Sequence, residues 1–189
     1  EGQLLADFAP VLIVPNVLSP QDCEALMARW EVMGHVEETV HSIVGGQQVS
    51  RLHKGIKSRR DHTIPEGPVF KSLAGVIGRR LAPELERVFN FTRFRFDLFL
   101  VTCYDAERND YFRRHRDNQS PATADRRFAL TLNLNTGDYA GGELIFPEYG
   151  AHRYSPPAGG AILFSCSLLH EALPVTRGRR FTLLSFLRA

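Results

Sequence analysis

Three side chains in this sequence have the types and spacing of a metal centre. His115 and Asp117 are separated by one residue. In an extended chain residues i and i+2 project from the same face, so this imidazole and carboxylate can converge on one point. His170 closes an apolar run, Ile162 to Leu169, and offers a second imidazole. Two imidazoles and one carboxylate on one face of a metal leave three positions open, a donor set suited to Fe(II). Structural zinc prefers four ligands, often thiolates, and Cys166 reads as a small core residue. An HxD pair also arises by chance in many chains, so its meaning comes from what surrounds it. Ten residues past His170 stands Arg180. A buried cation there could form a bidentate pair with the far carboxylate of a dicarboxylic acid that chelates the metal. The plain alternative is a surface arginine beside Arg177 and Arg179. Strand parity does not choose between them, because Phe181 and Leu183 on one face and Leu184 on the other are all apolar.

These residues need a scaffold of strands. From Phe94 to Leu100 the even positions are all apolar, and Thr102 and Tyr104 continue that face, a period-two pattern that predicts a strand. Further short strands are expected at Phe128–Leu134, Glu143–Phe146, Ala161–Phe164 and Phe181–Leu187, separated by Asp138, Gly141-Gly142, Pro156-Pro157 and Gly159-Gly160. Upstream, Val11–Val14 reads as a strand. Ser19-Pro20-Gln21-Asp22 reads as a helix start, with Ser as N-cap and Pro at the first helical position. Leu26, Met27 and Trp30 form that helix's apolar stripe, and Gly34 ends it. A second helical pattern covers Pro68 to Phe89, with an interruption expected at Pro83. Helices followed by many short strands predict an α+β fold, with helices buttressing a β-sandwich or jelly roll. Residues 1–189 read as one domain, with a helical and strand buttress over about 1–90 and a jelly-roll core over about 91–189. The chain opens on Glu1 rather than Met, and a longer polypeptide upstream is one expectation.

Composition narrows the function classes. With 189 residues, 43% of them hydrophobic, and 13 Phe, the chain can bury a sizeable core, which excludes disorder. No apolar run approaches the ~20 residues of a membrane span. The net charge of +2, from 23 basic and 21 acidic residues, is too balanced for a nucleic-acid or polybasic membrane protein. Cys23, Cys103 and Cys166 have no CxxC spacing and read as buried thiols in a reducing compartment, by default the cytoplasm. His35, His41, His53, His62 and His152 lack partners at ligand spacing and are expected in ordinary roles. The segment from Lys54 to His62 is basic and reads as a loop, either solvated or acting as a lid in which Arg59 and Asp61 contact substrate.

From Tyr104 to Phe186 the sequence resembles the 2-oxoglutarate and Fe(II)-dependent dioxygenase superfamily, in its prolyl 4-hydroxylase-like branch. The resemblance is carried by Tyr104, Tyr111-Phe112-x-x-His115-x-Asp117-Asn118, and Arg127-Phe128-Ala129-Leu130-Thr131-Leu132-Asn133-Leu134-Asn135. It continues through Gly141-Gly142-Glu143-Leu144-x-Phe146-Pro147, Pro157-x-x-Gly160-x-x-x-Phe164, His170 and Pro174-Val175-x-x-Gly178-x-Arg180. These pieces stand in order over roughly the C-terminal half.

The resemblance implies a double-stranded β-helix in which His115, Asp117 and His170 ligate Fe(II). It further implies that Arg180 binds the C5 carboxylate of 2-oxoglutarate, that Tyr104 touches this co-substrate, and that Thr131 and Asn133 line the barrel mouth beside it. Many relatives carry Tyr where Asn133 stands, and many prolyl hydroxylases carry Lys where Arg180 stands. The implied reaction couples O2 and decarboxylation of 2-oxoglutarate to hydroxylation of a prolyl or other amino-acid side chain, or of a small molecule. Two other readings are a cupin-like metalloenzyme that does not use 2-oxoglutarate and a regulatory domain that kept the fold. Arg180 argues against the first, and retention of all three ligands plus Arg180 argues against the second. Base demethylation on nucleic acid would call for a basic groove, which the charge balance does not suggest.

Overall fold

The computed structural model describes residues 8–37, 40–44, 47–51 and 55–189, with side chains placed for 8–37 and 55–189. The chain begins with β1 (Leu12–Val14) and α1 (Pro20–Met33). Ser19 caps α1 through a reciprocal pair with Asp22, whose backbone N–H donates to Ser19 Oγ at 3.1 Å. Five strands follow: β2 (Val36–Glu37), β3 (Val40–Val44), β4 (Gln47–Arg51), β5 (Lys57–Ser58) and β6 (Arg60–Ile64). Next comes α2 (Pro68–Phe89), then β7 (Arg95–Phe96), β8 (Phe99–Asp105), β9 (Tyr111–His115) and β10 (Arg126–Asn133). The last third holds β11 (Ala140–Gly141), β12 (Leu144–Ile145), β13 (Arg153–Tyr154), β14 (Ala161–Ser165), β15 (His170–Ala172), β16 (Val175–Arg177) and β17 (Arg179–Arg188).

Two antiparallel sheets face each other in a jelly roll. The larger has the order β1-β14-β10-β17-β8-β6-β2, with β7 also on β17, and the smaller has the order β13-β12-β15-β9-β5. The large sheet is covered on both faces, and apolar residues stand on each. Its odd-numbered residues Phe99, Val101, Cys103, Phe181, Leu183 and Leu187, with Leu130, Leu132, Ala161 and Leu163, pack on the helices through Trp30, Leu26, Ile77, Leu81 and Leu85. The alternate residues Tyr104, Ala129, Ile162, Phe164 and Phe186 face the small sheet. That alternation decides Arg180: it shares the inward face, and only 3% of its surface is exposed.

Three expectations are corrected. α2 runs unbroken through Pro83. An internal proline costs about 3 kcal/mol, but Ile77, Leu81 and Leu85 form a fully buried stripe. At about 1.5–3 kcal/mol per buried aliphatic side chain, that stripe outweighs the break. The strand expected from Phe94 is split at Asp97-Leu98, where the Asp97 carboxylate pairs with Arg126 and Arg188. The segment around Arg59 is not a loop or lid. β5 extends the small sheet beside β9, and β6 extends the large sheet beside β8, with Asp61 opposite Thr102. Among the other histidines, His35 stacks on Trp30 and His152 on Phe8, and His62 accepts from Arg29. The side chains of His41 and His53 lie outside the described residues.

Candidate active site

The strand pairing brings the three candidate ligands together. His115 ends β9 and His170 begins β15, directly opposite each other in the antiparallel register. Asp117 follows β9 and is tied back by its N–H, which donates to the Cys166 carbonyl at 3.0 Å. His115 Nε2 lies 3.4 Å from one Asp117 oxygen and His170 Nε2 lies 3.5 Å from the other. The three donor atoms all fall within 4.8 Å of one another.

Each imidazole is oriented from behind. Nδ1 of His115 is 2.7 Å from the Arg113 carbonyl, and Nδ1 of His170 is 3.0 Å from the Leu168 carbonyl. A carbonyl only accepts, so each Nδ1 carries the proton and each Nε2 presents its lone pair inward. Phe112 stacks on the His115 ring at 3.6 Å between centroids. Burial pushes His170 down to about 4, with the Asp117 carboxylate opposing and His115 reinforcing that shift. Burial works against the Asp117 charge, and the His170 and His115 rings overcome it and hold its carboxyl below the usual range. Two imidazole Nε2 atoms and a carboxylate therefore converge on one point. Such a set of facing acceptors is relieved by a divalent cation, so these residues fit Fe(II).

A cavity of about 280 Å³ opens from this cluster. Its apolar wall includes Leu98, Leu100, Phe112, Phe164, Leu184 and Phe186. Arg180, Tyr104, Thr131 and Arg59 also line it. Among the described residues no carboxylate pairs with Arg180. Its Nη2 donates to Asn133 Oδ1 at 2.9 Å, while its buried Nε has no partner. A desolvated cation without an anion is costly, and this one can be satisfied by a carboxylate in the cavity. Gly142 makes room for the arginine stem. At φ +72°, a Cβ there would sit 2.8 Å from Arg180 Cδ and 2.9 Å from Val175 Cγ2.

Not every expected residue reaches the cavity. Asn133 is fully buried and does not line it. Its Nδ2 donates to the Tyr139 hydroxyl at 3.0 Å and the Pro156 carbonyl at 3.1 Å, so its Oδ1 is left to face Arg180. The short amide of Asn133 stops at the arginine. Asp61 is likewise 1% exposed and absent from the cavity wall, because it sits behind Arg59. Arg59 Nε donates to Asp61 at 3.0 Å and Nη1 to the Tyr104 hydroxyl at 3.0 Å. Burial works against the Arg59 charge, and Asp61 and Tyr104 overcome it and hold the guanidinium above its usual range. Sequence reasoning gave no role to Arg126, whose guanidinium carbon lies 3.6 Å over the Phe186 ring on the cavity wall. The partner Asp97 is distant in sequence and carried no signal.

Comparison with known proteins agrees with this geometry. Residues 99–188 match the family described as the 2OG-Fe(II) oxygenase superfamily. A PKHD-type hydroxylase of Phenylobacterium zucineum is 42% identical over 180 residues, which cover 90% of this chain and 74% of that protein. A PKHD-type hydroxylase of Saccharophagus degradans is 28% identical over 181 residues, again 90% and 74%. Among solved structures, a Pseudomonas putida prolyl-4-hydroxylase superposes with a TM-score of 0.70 at 20% identity, covering 95% of this chain and 92% of that one. The viral collagen prolyl hydroxylase of Paramecium Bursaria Chlorella virus-1, in its 2OG complex, gives 0.67 at 18% identity, covering 95% and 96%. These superpositions speak to fold. The sequence relatives set aside the cupin-like and regulatory-domain readings: the protein is an oxidoreductase that uses Fe(II), 2-oxoglutarate and O2 to hydroxylate a substrate. The chain belongs to the PKHD-type hydroxylases of the 2OG-Fe(II) oxygenase superfamily.

Proposed function

We propose that His115, Asp117 and His170 hold the Fe(II), that Arg180 receives the C5 carboxylate of 2-oxoglutarate, and that Tyr104 and Thr131 add hydrogen bonds to this co-substrate. The observation that carries the reading is the meeting of two inward-facing Nε2 atoms and one carboxylate in the same cavity as a buried guanidinium without a carboxylate partner. Bound iron supplies O2 activation coupled to decarboxylation of 2-oxoglutarate to succinate and CO2, with one oxygen atom entering a substrate C–H bond. The chain's own residues do the positioning. The backbone carbonyls of Arg113 and Leu168 fix both imidazole planes, and Arg180 sets the direction of the co-substrate. The apolar wall from Leu98 to Phe186 keeps water from the reacting atoms.

The substrate in this proposal is a prolyl or other amino-acid side chain, presented by a peptide or as a small molecule. Related folds support it: one neighbour, at a TM-score of 0.68 and 17% identity, is a prolyl hydroxylase from Trichoplax adhaerens in complex with a peptide fragment of the hypoxia inducible factor oxygen degradation domain. A reducing, cytoplasmic setting is part of the same reading, supported by three free, buried cysteines. No helix among the described residues is long and apolar enough to cross a membrane. The test is titration of Mn(II) into the protein and into Asp117→Ala and His170→Ala. The reading expects one ion per wild-type chain and a loss of at least tenfold in affinity for each variant. Undiminished binding in the variants would refute it.

A further inference from the structure

We propose that Arg59 is a positioning residue for the co-substrate, one that holds the Tyr104 hydroxyl as a hydrogen-bond donor toward a 2-oxoglutarate carboxylate. This rests on the placement of 2-oxoglutarate in the preceding section. A tyrosine hydroxyl has one proton to give and two lone pairs to accept with, while a guanidinium can only donate. Arg59 Nη1 lies 3.0 Å from the Tyr104 oxygen, so the hydroxyl accepts there. Its own proton is left for another partner, and among the described residues none accepts it. Tyr104 is 3% exposed and lines the cavity, so the remaining direction for that proton is into the cavity. Two cations approach the tyrosine ring, with the guanidinium carbons of Arg59 and Arg180 at 5.7 and 5.4 Å from its centroid. A hydrogen bond received from a cation strengthens the donor character of the O–H that receives it.

The fold makes this arrangement rigid. Arg59 stands where the chain crosses from β5 in the small sheet to β6 in the large one. Asp61, one residue into β6, anchors the Arg59 Nε at 3.0 Å. β6 pairs with β8, the strand that carries Tyr104. Arginine can serve Asp61 and Tyr104 at once through two edges of its planar fork, which the single ammonium of lysine does not reproduce. The competing role is direct contact with the hydroxylated substrate through Nη2.

A double-mutant cycle separates the two roles. 2-Oxoglutarate would be titrated by calorimetry into the Mn(II)-loaded protein, Arg59→Lys, Tyr104→Phe and the double variant, with Mn(II) affinity and melting temperature followed alongside. We expect each single change to weaken 2-oxoglutarate binding roughly tenfold, as for loss of a hydrogen bond to a charged group. The double variant should lie within about twofold of Tyr104→Phe, and Mn(II) affinity should hold throughout. Asp61→Asn, which loosens the anchor of Arg59, should give a smaller rise that also disappears in the Tyr104→Phe background. Multiplying effects in the double variant, or unchanged 2-oxoglutarate affinity in Arg59→Lys, would overturn the proposal. Failure of the underlying co-substrate placement would show separately, as normal 2-oxoglutarate affinity in Arg180→Gln.

Discussion

Replacing Arg180 by Gln should separate affinity from stability, with opposite signs. In the protein without co-substrate this guanidinium is 3% exposed and, among the described residues, has Asn133 but no carboxylate as partner. Its charge is therefore desolvated with no opposite charge beside it, and replacing it with a neutral amide should leave the fold as stable as before or more so. With 2-oxoglutarate present the same charge meets a carboxylate in a buried site. Truncating one side of such a pair costs about 2–5 kcal/mol, a weakening of roughly 30-fold to a few thousand-fold in Kd. Calorimetric titration of 2-oxoglutarate into Mn(II)-loaded protein measures the first effect, and thermal melting without ligands measures the second. Arg177→Gln and Arg179→Gln are the controls: both side chains are exposed, and Arg179 pairs with Glu31 at the surface. Equal losses of affinity in all three variants, or no loss in Arg180→Gln, would refute the reasoning.

Gly142→Ala should lower stability by about 1–3 kcal/mol, from its positive φ and the close approach of Val175, and should also weaken 2-oxoglutarate binding by displacing the Arg180 stem; denaturant unfolding and the same titration read both. Burial pushes Asp97 up, but hydrogen bonds from Arg188 and Arg126 more than offset this and hold its carboxyl below the ordinary 3.8. The stability this lends is present above that ordinary value and is lost as pH falls through the lower folded value, so the gap between wild type and Asp97→Asn in urea unfolding should narrow from pH 5 to about pH 2. Burial pushes the Cys103 thiol up to about 12 and Cys166 higher still. At pH 8 a thiol reagent should therefore label neither in the folded protein in the time that labels both in urea, and fast labelling of the native state would contradict the buried placement.

The convergence of His115, Asp117 and His170 was legible in part because two of the three are local. His115 and Asp117 are two residues apart, and His170 closes the apolar run Ile162–Leu169, whereas the strand it begins, β15, carried no signal of its own. Strand parity around Arg180 became informative only when the structure showed both faces of β17 buried against different layers. The β5–β6 segment was misread for a related reason. Lys57, Arg59, Arg60 and Asp61 look solvated in sequence, yet Asp61 pairs with Lys57 and Arg59, and Arg60 with Asp105. Pairing across strands makes those charges tolerable in a buried sheet, and no local pattern announces it. Asn133 shows the same limit at the site: its residue type permits direct contact with a ligand, and only the oxygen acceptors gathered around its Nδ2 reveal that its Oδ1 faces Arg180 instead. Pro83 was weighed by local cost alone, whereas the packing of Leu81 and Leu85 settles the helix.

The central claim is that one chain couples 2-oxoglutarate turnover to the metal held by His115, Asp117 and His170. The measurement closest to it is succinate formed from 2-oxoglutarate in air, followed as a function of added Fe(II) in wild type and in Asp117→Ala. The account predicts succinate formation that saturates at one Fe(II) per wild-type chain and falls to background in Asp117→Ala. Fe(II)-dependent succinate formation at the wild-type rate in Asp117→Ala would contradict it.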